Sequence, residues 1–89
     1  MKKDDNHIKE LCGLFARLET EAQAEIFLQD LLTSHEITQV AERWQIVKRL
    51  VAGMPQRKIS EELGISIEKV TRGAKALKSS KGGFKMFLQ

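Results

Sequence analysis

Apolar residues recur along this chain at helical spacing, not at the alternation of strands. Ile8, Leu11, Cys12, Phe15 and Leu18 fall every three or four residues and predict a first helix over residues 5–19. Ala22, Ile26, Phe27, Leu31 and Leu32 predict a second, ending near Leu32. Thr33-Ser34-His35-Glu36 then has the form of a capping box, in which the threonine hydroxyl accepts a backbone N–H and the glutamate reaches back. A long helix should follow over residues 34–52, with Ile37, Val40, Ala41, Trp44, Val47, Leu50 and Val51 as its apolar stripe. Gly53 is a plausible stop. Pro55 suits the first turn of a short helix over residues 55–63, where its missing N–H costs nothing. Gly64 ends that helix, and Ser66 is a good N-cap for one running to about Lys78. Ser79-Ser80-Lys81-Gly82-Gly83 is a breaker, after which Phe84, Phe87 and Leu88 can form a last amphipathic turn.

Composition sharpens this helical picture. The first fifty residues hold no proline and a single glycine, Gly13, and the chain has no tyrosine, so a β-rich fold has little support. At 89 residues the chain holds one domain, yet 42% of its residues are hydrophobic. A domain this small buries only roughly 60–65% of its unfolded surface. A dimer interface is the simplest place for the surplus. Cys12 stands alone, which excludes an internal disulfide or a multi-thiolate metal site, and its place on an apolar stripe marks it as a buried small hydrophobe. His7 and His35 have no partners at metal-ligand spacing. No apolar run approaches the roughly 20 residues of a membrane span. The start, Met1-Lys2-Lys3-Asp4-Asp5, has no apolar stretch of a signal peptide. A cytoplasmic protein is expected. No Ser/His/Asp set, paired carboxylate site or phosphate loop points to an enzyme.

Charge is unevenly placed. Residues 1–53 carry seven Lys/Arg against nine Asp/Glu, and residues 54–89 carry eight against three, so the halves stand at −2 and +5. A phosphate-binding surface is to be sought in the C-terminal part.

There the stretch from Gln56 to Arg72 has the form of a helix-turn-helix. Ile59 and Leu63 face inward, and Ser60 is small enough for a second helix to pass close by. Gly64 gives the turn, Ile65 plugs the gap beneath it, Ser66 caps the second helix, and Val70 packs it onto the first. Such a unit lays its second helix in the DNA major groove. Ile67, Glu68 and Thr71 would then meet base edges, with Ile67 suited to a thymine methyl and Glu68 to a cytosine amino group. Glu68 is also open to another reading, as a sequence preference or a lost contact. Gln56 and Arg57 would meet phosphates at the start of the first helix. Arg72, Lys75 and Lys78 extend the positive surface. The bland alternative is a helical hairpin in a bundle.

From Leu31 to Leu88 the chain resembles the bacterial tryptophan (trp operon) repressor family. The resemblance rests on Leu32-Thr33, Glu36, Arg43, Ile46-Val47, Gly53, Gln56-Arg57, Glu62-Leu63-Gly64 and Ile67, and above all on Val70-Thr71-Arg72-Gly73. Ala76-Leu77-Lys78 and Phe84…Phe87-Leu88 also fit. It implies an all-α, six-helix subunit in an intertwined homodimer. Residues 1–32 would be dimerisation helices, 33–53 the central helix, 55–78 the helix-turn-helix and 82–89 a short C-terminal helix, all in one domain. It also implies a palindromic double-stranded operator and L-tryptophan as corepressor, with no metal. Arg43 and Arg72 would sandwich the indole, Arg72 would meet the ligand carboxylate, Thr33 would help hold the amino group, and Gly73 would leave room beside the ring. Read without the family, Arg43 and Arg72 are better taken as arginines in surface salt bridges, with Glu42 or Glu68 among the possible partners. The chain departs from the family pattern in a shorter loop before Gln56, in Pro55, and in Ser60 at a usually basic position. Lys69 stands in place of a threonine and Ala76 in place of a serine.

The expected function is therefore a tryptophan-responsive repressor of tryptophan biosynthesis or transport genes. The alternative is a DNA-binding regulator of the same fold that does not use tryptophan. Phe27-Leu28-Gln29-Asp30-Leu31 resembles relatives of that second kind. A helical interaction module without a DNA role is the third possibility.

Overall fold

The computed structural model describes residues 3–88. They form α1 (Lys3–Ala16), α2 (Glu21–Leu31), α3 (Ser34–Val51), α4 (Gln56–Leu63) and α5 (Ile67–Lys78), followed by a 3₁₀ turn at Phe84–Met86. No strand occurs among the described residues. The chain divides after Ile37 into two compact units.

In the first unit, Asp4 and Asp5 occupy the first turn of α1, where negative charge complements the helix dipole. This helix ends three residues before the expected Glu19. Thr20 accounts for the difference: its hydroxyl accepts the Gln23 N–H at 3.1 Å, and Gln23 Oε1 accepts the Glu19 N–H at 2.9 Å. These bonds start α2 and leave residues 17–20 as the connection. Phe15 and Phe27 meet edge to face, ring centres 5.2 Å apart. None of its described residues is buried, and Ile8, Leu14, Phe15, Ile26 and Leu31 are exposed. Cys12 is exposed too, contrary to its expected burial, because nothing in its own unit covers that face of α1.

The capping box forms as expected. Thr33 Oγ1 accepts the Glu36 N–H at 3.1 Å, and Glu36 Oε1 accepts the Thr33 N–H at 2.8 Å. The backbone bond first, then the hydroxyl, holds the Glu36 carboxyl below the usual glutamate range.

The second unit holds the core. Ile46, Ile59 and Val70 are buried together, with Leu50, Met54, Leu63 and Ile65 packed around them, and Val47 is fully buried. The expected stripe on α3 is thus partly misplaced. Ile46 belongs to the core, whereas Val40 and Val51 are 60% and 43% exposed and Ala41 is exposed. The expected stripe covers about half of the helix circumference, and Ile46 lies just beyond its edge, on the side that packs against Ile59 and Val70. Trp44 is half-buried and meets the edge of Phe87 at 6.2 Å. The sixth expected helix, over 82–89, is only the three-residue 3₁₀ turn. It follows Gly82 at φ +98° and has no side-chain cap, so nothing offsets the cost of nucleating a full α-helix.

Candidate functional site

Two glycines set the angles of the helices that carry the site. α3 stops where Gly53 takes φ +92° and the Met54 N–H reaches back to the Arg49 carbonyl at 3.0 Å. The turn between α4 and α5 has Gly64 at φ +66°. Ser60 clasps this turn from both sides. Its carbonyl accepts the Gly64 N–H, and also the Ile65 N–H at 3.1 Å, while its hydroxyl donates to the Ile65 carbonyl at 2.6 Å. Ser66 then caps α5 by accepting the Lys69 N–H at 3.3 Å. Pro55 is the N-cap of α4 rather than its first helical residue, and it makes no side-chain cap bond.

Arg49 ties α3 to α4. Its Nε donates to Glu62 at 2.8 Å, and another guanidinium nitrogen donates to Gln45 Oε1 at 2.6 Å. Sequence reasoning passed over this residue. Its only signal was a charge of each sign thirteen residues apart, a spacing that means nothing until the turn at Gly53 folds α4 back.

α5 packs through Val70 and Gly73. A Cβ at Gly73 would lie 2.5 Å from Ile46 Cγ2, so glycine is what lets α5 approach α3. The space it leaves is taken by Ile46.

The two faces of α5 that flank this packing carry different chemistry. Ile67, Thr71, Lys75 and Lys78 recur at helical spacing on one face, and all are exposed. The Thr71 hydroxyl sits 3.0 Å from the Ile67 carbonyl and 3.3 Å from Gln56 Oε1, so it joins this row to the start of α4. Arg57 and Glu68 are exposed beside them. On the other face, Lys69 and Arg72 line a cavity of about 420 Å³ with Gln39, Val40, Glu42, Arg43 and Ile46 of α3.

This cavity holds three cations and one carboxylate. Lys69 Nζ pairs with Glu42 Oε1 at 3.4 Å. Arg43 and Arg72 make no ion pair among the described residues, so the expected alternative of pairing with Glu42 or Glu68 is not realised. The structure therefore brings Arg43 and Arg72 to one cavity, with Gly73 behind its Ile46 wall. Thr33 belongs to the first unit, where its hydroxyl is engaged by the Glu36 N–H. Lys69 and Glu42 are the charged cavity residues missing from the expected ligand set. No group of three or more His, Cys, Asp or Glu suited to a metal occurs among the described residues, and no described helix is long and apolar enough to cross a membrane.

Residues 6–89 match the family described as Trp repressor protein. A Trp operon repressor homolog of Chlamydia trachomatis serovar L2 is 45% identical over 80 residues, covering 84% of this chain and 85% of the relative. One from Chlamydia caviae is 37% identical over 89 residues, covering 99% and 88%. One from Haemophilus influenzae is 37% identical over 70 residues, covering 78% and 69%. No solved structure matches the chain. The family match spans both units, including the capped start of α3, the turn at Gly64 and the two-arginine cavity, and the chain belongs to the Trp repressor protein family.

Proposed function

We propose that this protein is a homodimeric transcriptional repressor that grips a palindromic operator through α4 and α5 and takes L-tryptophan as corepressor between α3 and α5. Its targets would be genes of tryptophan biosynthesis or transport. The observation that carries the reading is the pair of arginines, Arg43 and Arg72, that line one cavity with no ion partner among the described residues. Guanidinium planes stack on aromatic faces, and the fork of Arg72 matches a carboxylate. Val40 and Ile46 supply apolar wall, and the volume of about 420 Å³ lies within the ~300–1,000 Å³ of small-molecule pockets. A bound indole amino acid would bridge the two helices and favour one orientation of α5. Gly73 keeps α5 close enough for both arginines to reach one ligand.

The DNA face is the exposed row Ile67, Thr71, Lys75 and Lys78, with Glu68 and Arg72 at its edge and Gln56 and Arg57 at the start of α4. The charge of +5 over residues 54–89 places the phosphate-attracting field on the same unit. A homodimer is supported by the uncovered apolar residues of α1 and α2 and by a groove lined by Val51, Leu77, Phe84 and Leu88.

Calorimetric titration with L-tryptophan tests the ligand. Saturable binding at one site per subunit, lost in Arg72→Ala, is expected. A flat titration of a folded dimer would leave the tryptophan-independent regulator as the better account. That second reading draws on one observation: the Glu42–Lys69 pair by itself ties α3 to α5.

A further inference from the structure

The cavity between α3 and α5 contains a charge of each sign, and the family resemblance assigned a role to neither Glu42 nor Lys69. Arg43, Lys69 and Arg72 suffice for an anionic group. Among the described residues Glu42 is the only carboxylate in the lining. Its side chain is 30% exposed, so it is neither freely solvated nor sealed in the core. Its bond to Lys69 uses one oxygen at 3.4 Å, well beyond the roughly 2.7–2.9 Å of a strong charge-assisted hydrogen bond. The second oxygen has no bond among the described residues. Lys69 is itself 44% exposed and can exchange this partner for water at little cost.

We infer that Glu42 is the specificity residue that reads the ligand's ammonium group, so that the cavity selects a zwitterionic α-amino acid over the same aromatic carboxylate without its amino group. This rests on the corepressor reading above. An α-amino acid carries its two charges on adjacent atoms and needs counter-charges of both signs on one small surface. The lining supplies that set: arginines for the carboxylate, Glu42 for the ammonium, and Val40 and Ile46 for the apolar side chain. A ligand lacking the amino group would leave the Glu42 carboxylate with only its long contact to Lys69. It would gain nothing from the acid and would feel its repulsion.

The test compares dissociation constants for L-tryptophan and indole-3-propionate by calorimetry in the wild type, Glu42→Gln and Lys69→Met. Circular dichroism and sedimentation would check each variant. The readout is the preference for the amino acid, the ratio of the two constants. In Glu42→Gln this preference should fall about tenfold, through weaker L-tryptophan binding with indole-3-propionate changed less than about twofold. Lys69→Met removes the same ion pair but keeps the carboxylate, so the preference should hold or rise. Equal weakening of both ligands in Glu42→Gln would reduce Glu42 to a tie between helices and overturn the assignment. A matching loss of preference in Lys69→Met would do the same. If wild-type protein binds neither ligand, the corepressor reading itself fails and takes this one with it. If both bind and the preference survives Glu42→Gln, only the assignment of Glu42 fails.

Discussion

At the scale of single residues, steric fit and local hydrogen bonds make opposite demands on legibility. Gly73 was expected to leave space beside a ligand, and the structure gives it a different neighbour: Ile46, whose Cγ2 would stand 2.5 Å from any added Cβ. Gly73→Ala should cost about 1–3 kcal/mol of stability by urea unfolding, through overpacking of α5 against α3. Adding Ile46→Ala should recover part of that loss, because the methyl group then enters the vacated space. A double mutant no more stable than the sum of the singles predicts would show that the two residues do not meet. Glu36 is the contrary case, fully legible because its partner lies three residues away. Its carboxyl is held below the ordinary value of 4.5 by Thr33. A group depressed in the folded state stabilises it fully above its unfolded value and progressively less as the pH falls through its folded value. The start of α3 should therefore weaken in acid below about pH 4.5, and Glu36→Gln should remove that part of the pH dependence. A carboxyl titration of Glu36 by NMR that shows no depression would contradict the capping box.

At the scale of elements, the boundaries that glycine, serine and threonine dictate were readable, and tertiary partners were not. Gly53 and Gly64 take the left-handed angles that their places after apolar helical runs required. Leu18 continues the apolar spacing, yet α1 ends at Ala16 because the bonds of Thr20 and Gln23 start the next helix there. Ser60 contributes more than its small size. Its hydroxyl bond to the Ile65 carbonyl depends on the turn that Gly64 makes, so sequence spacing alone did not reveal it. Ser60→Ala keeps the small size and loses this half-buried bond. It should cost about 1 kcal/mol, measurable by urea unfolding. A neutral substitution would mean that size alone matters at this crossing. The two faces of α5 yield a separate expectation for DNA. Lys75→Ala and Lys78→Ala should each lower the slope of log affinity against log salt by about 1 if both reach phosphates. Thr71→Ala should weaken DNA binding, as should Arg57→Ala. Unchanged retention of DNA in all four variants would exclude α5 as the groove-side helix.

At the scale of the whole molecule, the sequence showed an excess of apolar residues and the structure shows where the excess lies. Among the described residues the buried hydrophobic ones, Ile46, Val47, Ile59 and Val70, all belong to the second unit. The helices of the first unit hold apolar residues at correct spacing, yet Ile8 and Ile26 are 59% and 62% exposed. Periodicity reports which face of a helix is apolar, not which chain covers it, so no reading of a single chain's pattern could decide between an internal core and a shared one. Short helices are marginal in water without tertiary packing, and α2 is only eleven residues long. If a second copy supplies that packing, folding and association are one equilibrium, and the stability measured must depend on protein concentration. The thermal midpoint should rise as the protein is concentrated, and sedimentation equilibrium should find a dimer throughout the folded range. Ile26→Asp places a charge in the face that the partner would cover, and it should lower the midpoint and increase its concentration dependence. In a protein whose first unit stands free, the same substitution would sit harmlessly in water. A concentration-independent midpoint that Ile26→Asp leaves unchanged would therefore count against the homodimer, and with it against the presentation of two recognition helices to the two halves of a palindrome.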